Sequence, residues 1–164
     1  YNSIHYFDLI RSIFGMPKGV FAYSNSHPKY RNLSDTKTTA ILKYSNNMRC
    51  ALSLNHCFQF GPNKQSANVK VEGTKGAAFI TLGSMLNYPN FEKDRFEIKT
   101  SKKEWEEISL VGNWFPDAFE GTMSNLQRFI HSEDKTLETS VEDTVKTMKL
   151  IDALLKSKDN FYKI

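Results

Sequence analysis

The sequence predicts an α+β fold: a large open, predominantly antiparallel β-sheet with helices packed on one face, an N-terminal helix and two C-terminal helices. Three observations predict it. Apolar residues recur at helical spacing over residues 4–14 and again beyond residue 117, whereas from Gly19 to Leu110 the apolar period is two. The strand-like segments follow one another as hairpins without intervening helices, which requires antiparallel pairing. With 164 residues, 40% of them hydrophobic, the chain is long and apolar enough for one domain with a core.

The elements follow in order. Ile4, Phe7, Ile10 and Phe14, widened by Leu9 and Ile13, form the apolar stripe of a first helix. Gly15 and then Pro17 give it the expected C-terminal stop. Val20 to Ser24 reads as a short strand. Thr38 to Tyr44 alternates Ala40, Leu42 and Tyr44 against Thr39, Ile41 and Lys43. After the turn Ser45-Asn46-Asn47, Met48 to Phe60 reads as a long strand. Its Cys50, Leu52, Leu54 and Phe58 point one way, and Ala51, Ser53, Asn55 and Gln59 the other. Ala67 to Glu72 and Ala77 to Leu82 flank Gly73-Thr74-Lys75-Gly76, a tight hairpin. Arg95 to Thr100 and Trp105 to Leu110 make a further pair.

Pro116 sits near the start of the second helix, whose stripe is Ala118, Phe119, Thr122, Leu126, Phe129 and Ile130. Ser140 caps the third, with Asp143 three residues on. The predicted buried face of that helix is Val141, Val145, Met148, Ile151 and Leu155. A broad sheet with helices on one face leaves its other face either wet or covered by another subunit. Ile41 and Ile80 on that sheet hint at association.

Composition excludes several classes. No run approaches the ~18 apolar residues of a membrane span, and no basic-then-apolar leader opens the sequence. Two cysteines cannot staple a secreted disulfide scaffold. Cys50 and Cys57 lie on opposite strand faces and lack a zinc-spaced histidine, so free, half-buried cytosolic thiols and no metal site are expected. The net charge of +4 is interleaved with acids, as in Glu92-Lys93-Asp94-Arg95, which argues for a solvated surface and against a nucleic-acid partner. No G-x-G-x-x-G occurs, and Gly73–Gly76 lies between strands instead of opening a helix. No dinucleotide is therefore expected to bind this chain. Opening at Tyr1 inside a helix, without Met, the chain reads as a fragment of a longer protein.

Several segments in sequence order resemble one family. Ile4-His5-Tyr6-Phe7-Asp8-Leu9-Ile10 with Phe14-Gly15-Met16-Pro17 is similar to an H-x-x-D helix ending at G-x-P. Val71-Glu72-Gly73-Thr74-Lys75-Gly76 resembles an I-x-G-x-x-G hairpin. Trp114-Phe115-Pro116-Asp117-Ala118-Phe119 resembles the segment before a penultimate helix, and Ser140-Val141-Glu142-Asp143 with Met148 to Ser157 the closing helix. The family is that of glucose–fructose oxidoreductase and inositol dehydrogenase (Gfo/Idh/MocA), in its C-terminal domain, over essentially the whole chain.

The resemblance implies a single substrate-binding and oligomerisation domain, residues 1–164, of a cytoplasmic NAD- or NADP-dependent oxidoreductase acting on a sugar, polyol or related secondary alcohol. It implies a missing N-terminal Rossmann domain that holds the cofactor and a homodimer or higher homo-oligomer through the sheet. A small-molecule substrate follows, with no membrane partner. The isolated fragment is expected to be inactive. Oxidising an alcohol leaves a hydroxyl proton, which a neutral imidazole accepts near physiological pH; the family's histidine maps onto His5. The alternative is a helix-surface His5 bonded to Asp8 on the same face, and Asp8 is read as orienting or structural.

An Asp often stands one turn earlier in the family, where this chain has Tyr1; Tyr1 offers only a phenol. Trp114, Phe115 and Asp117 either meet substrate, the indole stacking and the carboxylate accepting a hydroxyl, or plug the helix–sheet core. Lys64 and Gln65 map near another substrate loop. Asn2 and Arg11 are read as solvent-facing. A non-catalytic ligand-binding or scaffolding domain of the same fold is the alternative function, and a small RNA-binding domain a more distant one.

Overall fold

The computed structural model describes residues 3–30, 32–33, 36–57, 64–83, 90 and 92–164. The described elements run α1 (Ser3–Phe14), β1 (Gly19–Asn25), β2 (Lys37–Lys43), β3 (Arg49–Asn55), β4 (Ala67–Gly73), β5 (Gly76–Leu82), β6 (Arg95–Thr100), β7 (Lys103–Ile108), α2 (Ala118–Ile130), α3 (Val141–Ser157) and β8 (Tyr162–Lys163). The class is α+β, as the apolar periods predict. Among the described residues the strands pair as two four-stranded antiparallel sheets, β3-β2-β1-β8 and β4-β5-β6-β7, where the sequence reading has one large sheet. The chain divides into two compact units, Tyr1–Phe58 with Thr139–Ile164, and Gln59–Glu138.

The first unit owns the core. Its sheet alternates as a half-buried antiparallel sheet must. Val20, Ala22, Ala40, Leu42 and Leu52 are buried with Phe7 and Ile10 of α1 and Leu150, Ala153 and Leu154 of α3. The opposite face presents Phe21, Tyr23, Thr39, Ile41, Ala51 and Ser53 to solvent. Gly15, at φ +76°, donates its N–H to the Arg11 carbonyl at 2.8 Å and ends α1 in the left-handed conformation that glycine adopts without strain. Ser140 caps α3 by accepting the Asp143 N–H at 3.2 Å.

Four sequence expectations are corrected here. α3 buries Thr147, Leu150, Ala153, Leu154 and Ser157, while Val141, Val145, Met148 and Leu155 are exposed; of the predicted face only Ile151 packs on the core. The helix carries two apolar stripes, and small and hydroxyl side chains decide between them. Thr147 and Ser157 permit close packing, and both hydroxyls are satisfied inside. Ser157 Oγ accepts the Ala22 N–H at 2.9 Å and donates to the Asn160 carbonyl. Likewise α2 exposes Phe119, Phe129 and Ile130, and its buried residue is Asn125. The Asn125 side chain bonds Asp134, the Thr136 carbonyl and the Glu138 N–H at 2.9, 3.0 and 3.0 Å, folding the following loop back onto the helix. Arg11, expected in solvent, is 7% exposed. β3 ends at Asn55, short of the predicted strand, because the chain bends at His56, so Cys57 lies just beyond it; residues 58–60 fall outside the described residues.

The Tyr44 hydroxyl is buried in this core with no hydrogen-bond partner among the described residues, and burial pushes the phenol pKa up to about 12. An orphaned buried hydroxyl costs about 1–3 kcal/mol of desolvation. Tyr44→Phe is therefore expected to raise the unfolding free energy by about 1 kcal/mol in urea titrations. A loss of stability would mean that the hydroxyl has a partner in solution.

In the second unit the two-residue hairpin Thr74-Lys75 forms as predicted, with Gly73 opposite Gly76. Its sheet carries ion pairs, Arg95 with Glu97 and Glu107 at 3.3 and 3.2 Å and Lys99 with Glu104 at 2.6 Å. These match the mixed-charge surface read from the sequence. No apolar side chain of this unit is fully buried among the described residues.

Candidate functional site

α1 carries the candidate base. His5 is exposed, and among the described residues nothing hydrogen-bonds its ring. Asp8 does not hold it. The Asp8 carboxylate accepts instead from Arg11 at 2.9 Å and from the Thr147 hydroxyl of α3. Arg11 in turn donates from Nε to Thr147 Oγ1 at 2.7 Å and forks onto both Asp143 oxygens, one of them at 3.0 Å. The two-pronged guanidinium–carboxylate pair is among the stronger polar contacts available to a protein. Its hydrogen bonds to Arg11 hold the Asp143 carboxyl below the usual range, and the same bonds keep the guanidinium pKa raised. The network clamps α1 to α3 and fixes the helix that presents His5. Composition could not show this, because a solvated arginine and a buried one look alike in sequence. The signal lay in Asp8, Arg11, Asp143 and Thr147, all placed at i, i+3 or i, i+4 on the buried faces of α1 and α3.

At the base of the same helix Ser3 Oγ pairs with His56 Nε2, and partial desolvation lowers the His56 imidazole from its ordinary value. Cys50 and Cys57 are free, half-buried thiols. Tyr1 and Asn2 lie outside the described residues.

In the second unit the structure gathers Trp114, Phe115 and Asp117 on one loop ahead of α2. Trp114 is 37% exposed. Its ring lies 6.0 Å from Phe115 at 57°, and Phe115 meets Phe119 edge-on at 5.7 Å. Asp117 precedes α2 without capping it. Its Oδ2 accepts the Asn113 N–H at 2.6 Å, so half of the carboxylate shapes the loop. Asp94, which sequence reasoning missed, accepts the Gly83 N–H at 2.7 Å and the Trp114 N–H, and the indole Nε1–H donates to the Gly83 carbonyl at 3.2 Å. Lys64 and Gln65 are exposed just ahead of β4.

Among the described residues no group of three or more His, Cys, Asp or Glu could hold a metal ion, and no helix is long and apolar enough to cross a membrane.

Comparison with known proteins bears on the assembly of these parts. Residues 1–161 match the family model described as "Oxidoreductase family, C-terminal alpha/beta domain". No curated protein matches the chain. Among solved structures it is similar to an oxidoreductase from Agrobacterium radiobacter in complex with NAD+, L-tartaric acid and magnesium, with a TM-score of 0.71 and 19% identity over 98% of this chain and 47% of that one. It is also similar to the WlbA dehydrogenase from Bordetella pertussis in complex with NADH and UDP-GlcNAcA, with a TM-score of 0.69 and 14% identity over 99% of this chain and 43% of that one. The chain thus spans less than half the length of these proteins. At such identities they attest to the fold, and the family rests on the match over residues 1–161. The chain belongs to the Gfo/Idh/MocA oxidoreductase family, whose C-terminal alpha/beta domain it carries.

Proposed function

We propose that this chain is the substrate-binding and self-association domain of an NAD(P)-dependent oxidoreductase acting on a sugar, polyol or related secondary alcohol. The observation that carries the reading is His5, an exposed imidazole on a clamped helix in a chain of an oxidoreductase family. The hairpin Gly73–Gly76 joins two strands and opens no helix, which supports a division of labour in which this segment does not hold the pyrophosphate. The dinucleotide accordingly belongs to a second, nucleotide-binding half of the protein, and NAD or NADP supplies the hydride acceptor there. On this chain His5 takes the hydroxyl proton as the carbinol carbon becomes a carbonyl, and the imidazolium then returns that proton to solvent. Trp114 and Phe115 offer apolar surface to a sugar ring, and the second Asp117 oxygen offers a hydroxyl acceptor. Lys64 and Gln65 as substrate-loop residues, and Tyr1, four positions before His5, as the donor of a phenol hydrogen bond to substrate, rest on the resemblance alone.

The test is steady-state reduction of NAD+ and NADP+ by the full-length protein with a panel of polyols, sugars and UDP-sugars. Turnover of at least one is expected. The isolated 164-residue chain is expected not to bind NADH, and tight binding to it would overturn the division of labour.

The self-association surface is the outer face of the β3-β2-β1-β8 sheet. Phe21, Ile41 and Ala51 stand side by side in register across three strands, with Phe21 41% and Ile41 46% exposed. A second copy is the proposed cover for this apolar row. Ile41→Lys is expected to convert the dimer to monomer by light scattering with the fold retained. A wild-type mass that is already monomeric would remove the proposal.

A further inference from the structure

We propose that Asp94 is a positioning residue that holds the Trp114 indole as a fixed stacking platform for the C–H face of a sugar or polyol ring. The proposal rests on the reading of the Trp114 loop as substrate-facing, and it is argued from the hydrogen bonds around that loop.

One carboxylate ties two backbone segments together. Asp94 Oδ1 accepts the Gly83 N–H at 2.7 Å while Oδ2 accepts the Trp114 N–H. The indole then closes the circuit by donating Nε1–H to the carbonyl of Gly83, at 3.2 Å. The ring is thereby held at its backbone and at its far edge, both referred to the same residue. Gly83 can serve because it lacks a side chain: a Cβ there would collide with the Glu92 carbonyl oxygen, so β5 and the segment leading to Asp94 approach backbone to backbone. On the neighbouring side Phe115 limits the tilt of the indole.

A buried tryptophan would need such restraint for packing. Trp114 is not buried, since more than a third of its surface is open to solvent. An apolar ring held at several points and left uncovered has its ordering cost met before any ligand arrives. Its N–H is already committed to Gly83, so the ring offers a ligand its apolar surface. The hydroxyl acceptor nearby is the remaining Asp117 oxygen, whose negative charge suits a neutral polyhydroxylated ring better than a phosphate.

Only a carboxylate can accept two N–H groups with two oxygens. Asp94→Asn retains the shape but presents an NH2 to one of them, and Asp94→Glu keeps both acceptors on a longer arm. The experiment uses the full-length protein labelled with 5-fluorotryptophan, in which the Trp114 fluorine line is identified by its loss in Trp114→Phe. Asp94→Asn is expected to move that line towards the position of free, solvated indole and to enlarge its H2O/D2O shift. It is expected to weaken the response of the line to D-glucose or myo-inositol about tenfold in apparent affinity. The KM for the dinucleotide should stay as in the parent, and Asp94→Glu should restore part of the response.

A Trp114 line unmoved by Asp94→Asn overturns the positioning role and leaves the substrate-facing reading intact. A parent line that responds to neither compound overturns that reading, and the platform with it. Should Asp94→Asn fail to fold, Trp114→Phe supplies the measurement. It keeps an apolar ring but loses the N–H to Gly83, and a saccharide KM unchanged from the parent would count against the proposal.

Discussion

Replacing His5 by glutamine in the full-length protein is expected to lower kcat for alcohol oxidation about 100- to 10,000-fold, the range that a positioned general base contributes. Glutamine keeps a polar side chain of similar reach but cannot take a proton at neutral pH. Stability should be unaffected, because the ring is exposed and makes no hydrogen bond among the described residues, while α1 is held by Arg11. Glutamine takes no proton, so any acid limb that the parent's kcat/KM profile shows should vanish together with the rate. Stopped-flow traces of nicotinamide reduction from pH 5 to 9 would check both. A His5→Gln protein with kcat within about threefold of the parent would show that the proton leaves by another route.

The second large effect falls on stability. Arg11→Met removes the cation of the α1–α3 clamp and takes the guanidinium donor from two carboxylates and the Thr147 oxygen, while Asp8 keeps the Thr147 hydroxyl. Methionine fills much of the volume, so the loss is electrostatic rather than a cavity. Breaking a fully buried pair costs about 3–5 kcal/mol. Here Asp8 is 50% and Asp143 35% exposed, so both recover part of their hydration. The expected cost is thus about 2 kcal/mol, read from urea unfolding at pH 7.

The acid side has a definite sign. Asp143 has its pKa depressed in the folded protein by hydrogen bonding to Arg11. Its contribution is therefore present above the ordinary carboxylate value of 3.8 and is lost as pH falls through the lower folded value. The stability gap between parent and Arg11→Met should narrow below that pH. A gap that stayed constant down to pH 2 would assign the clamp no electrostatic role. Because Arg11 anchors the helix of His5, the same variant should also lose turnover, in proportion to the folded fraction if the clamp is only structural and beyond it if α1 shifts.

Much of the fold was legible because β-strands with one wet face write their burial into the chain with period two. Ala40, Leu42 and Tyr44 are inside and Thr39, Ile41 and Lys43 outside, as the alternation of residues 38–44 states. Gly15 and Ser140 marked the end of α1 and the start of α3 through local backbone chemistry alone. Helices α2 and α3 misled the same reasoning. α3 has apolar residues on two stripes, and the packed one is that with Thr147, Ala153 and Ser157, because small side chains let β1 approach and buried hydroxyls find partners there. β8, only two residues long, pairs with Gly19 and Val20 and has no periodicity to read.

The residues of the candidate site divide in the same way. His5 and Trp114 were identifiable from the chain because their own motifs surround them in sequence. Arg11 and Asp94 were not, since each acts on partners far along the chain: Arg11 on Asp143 and Thr147, Asp94 on Gly83 and Trp114. The sequence by itself determined the α+β class, the strand phases and the helix caps, all of which depend on neighbours within a few positions. Tertiary structure alone decided which helix face is buried, that Arg11 is a clamp, and that the indole is tethered. Those depend on which distant groups can satisfy a buried charge or a backbone N–H, and that information exists only once the chain has folded.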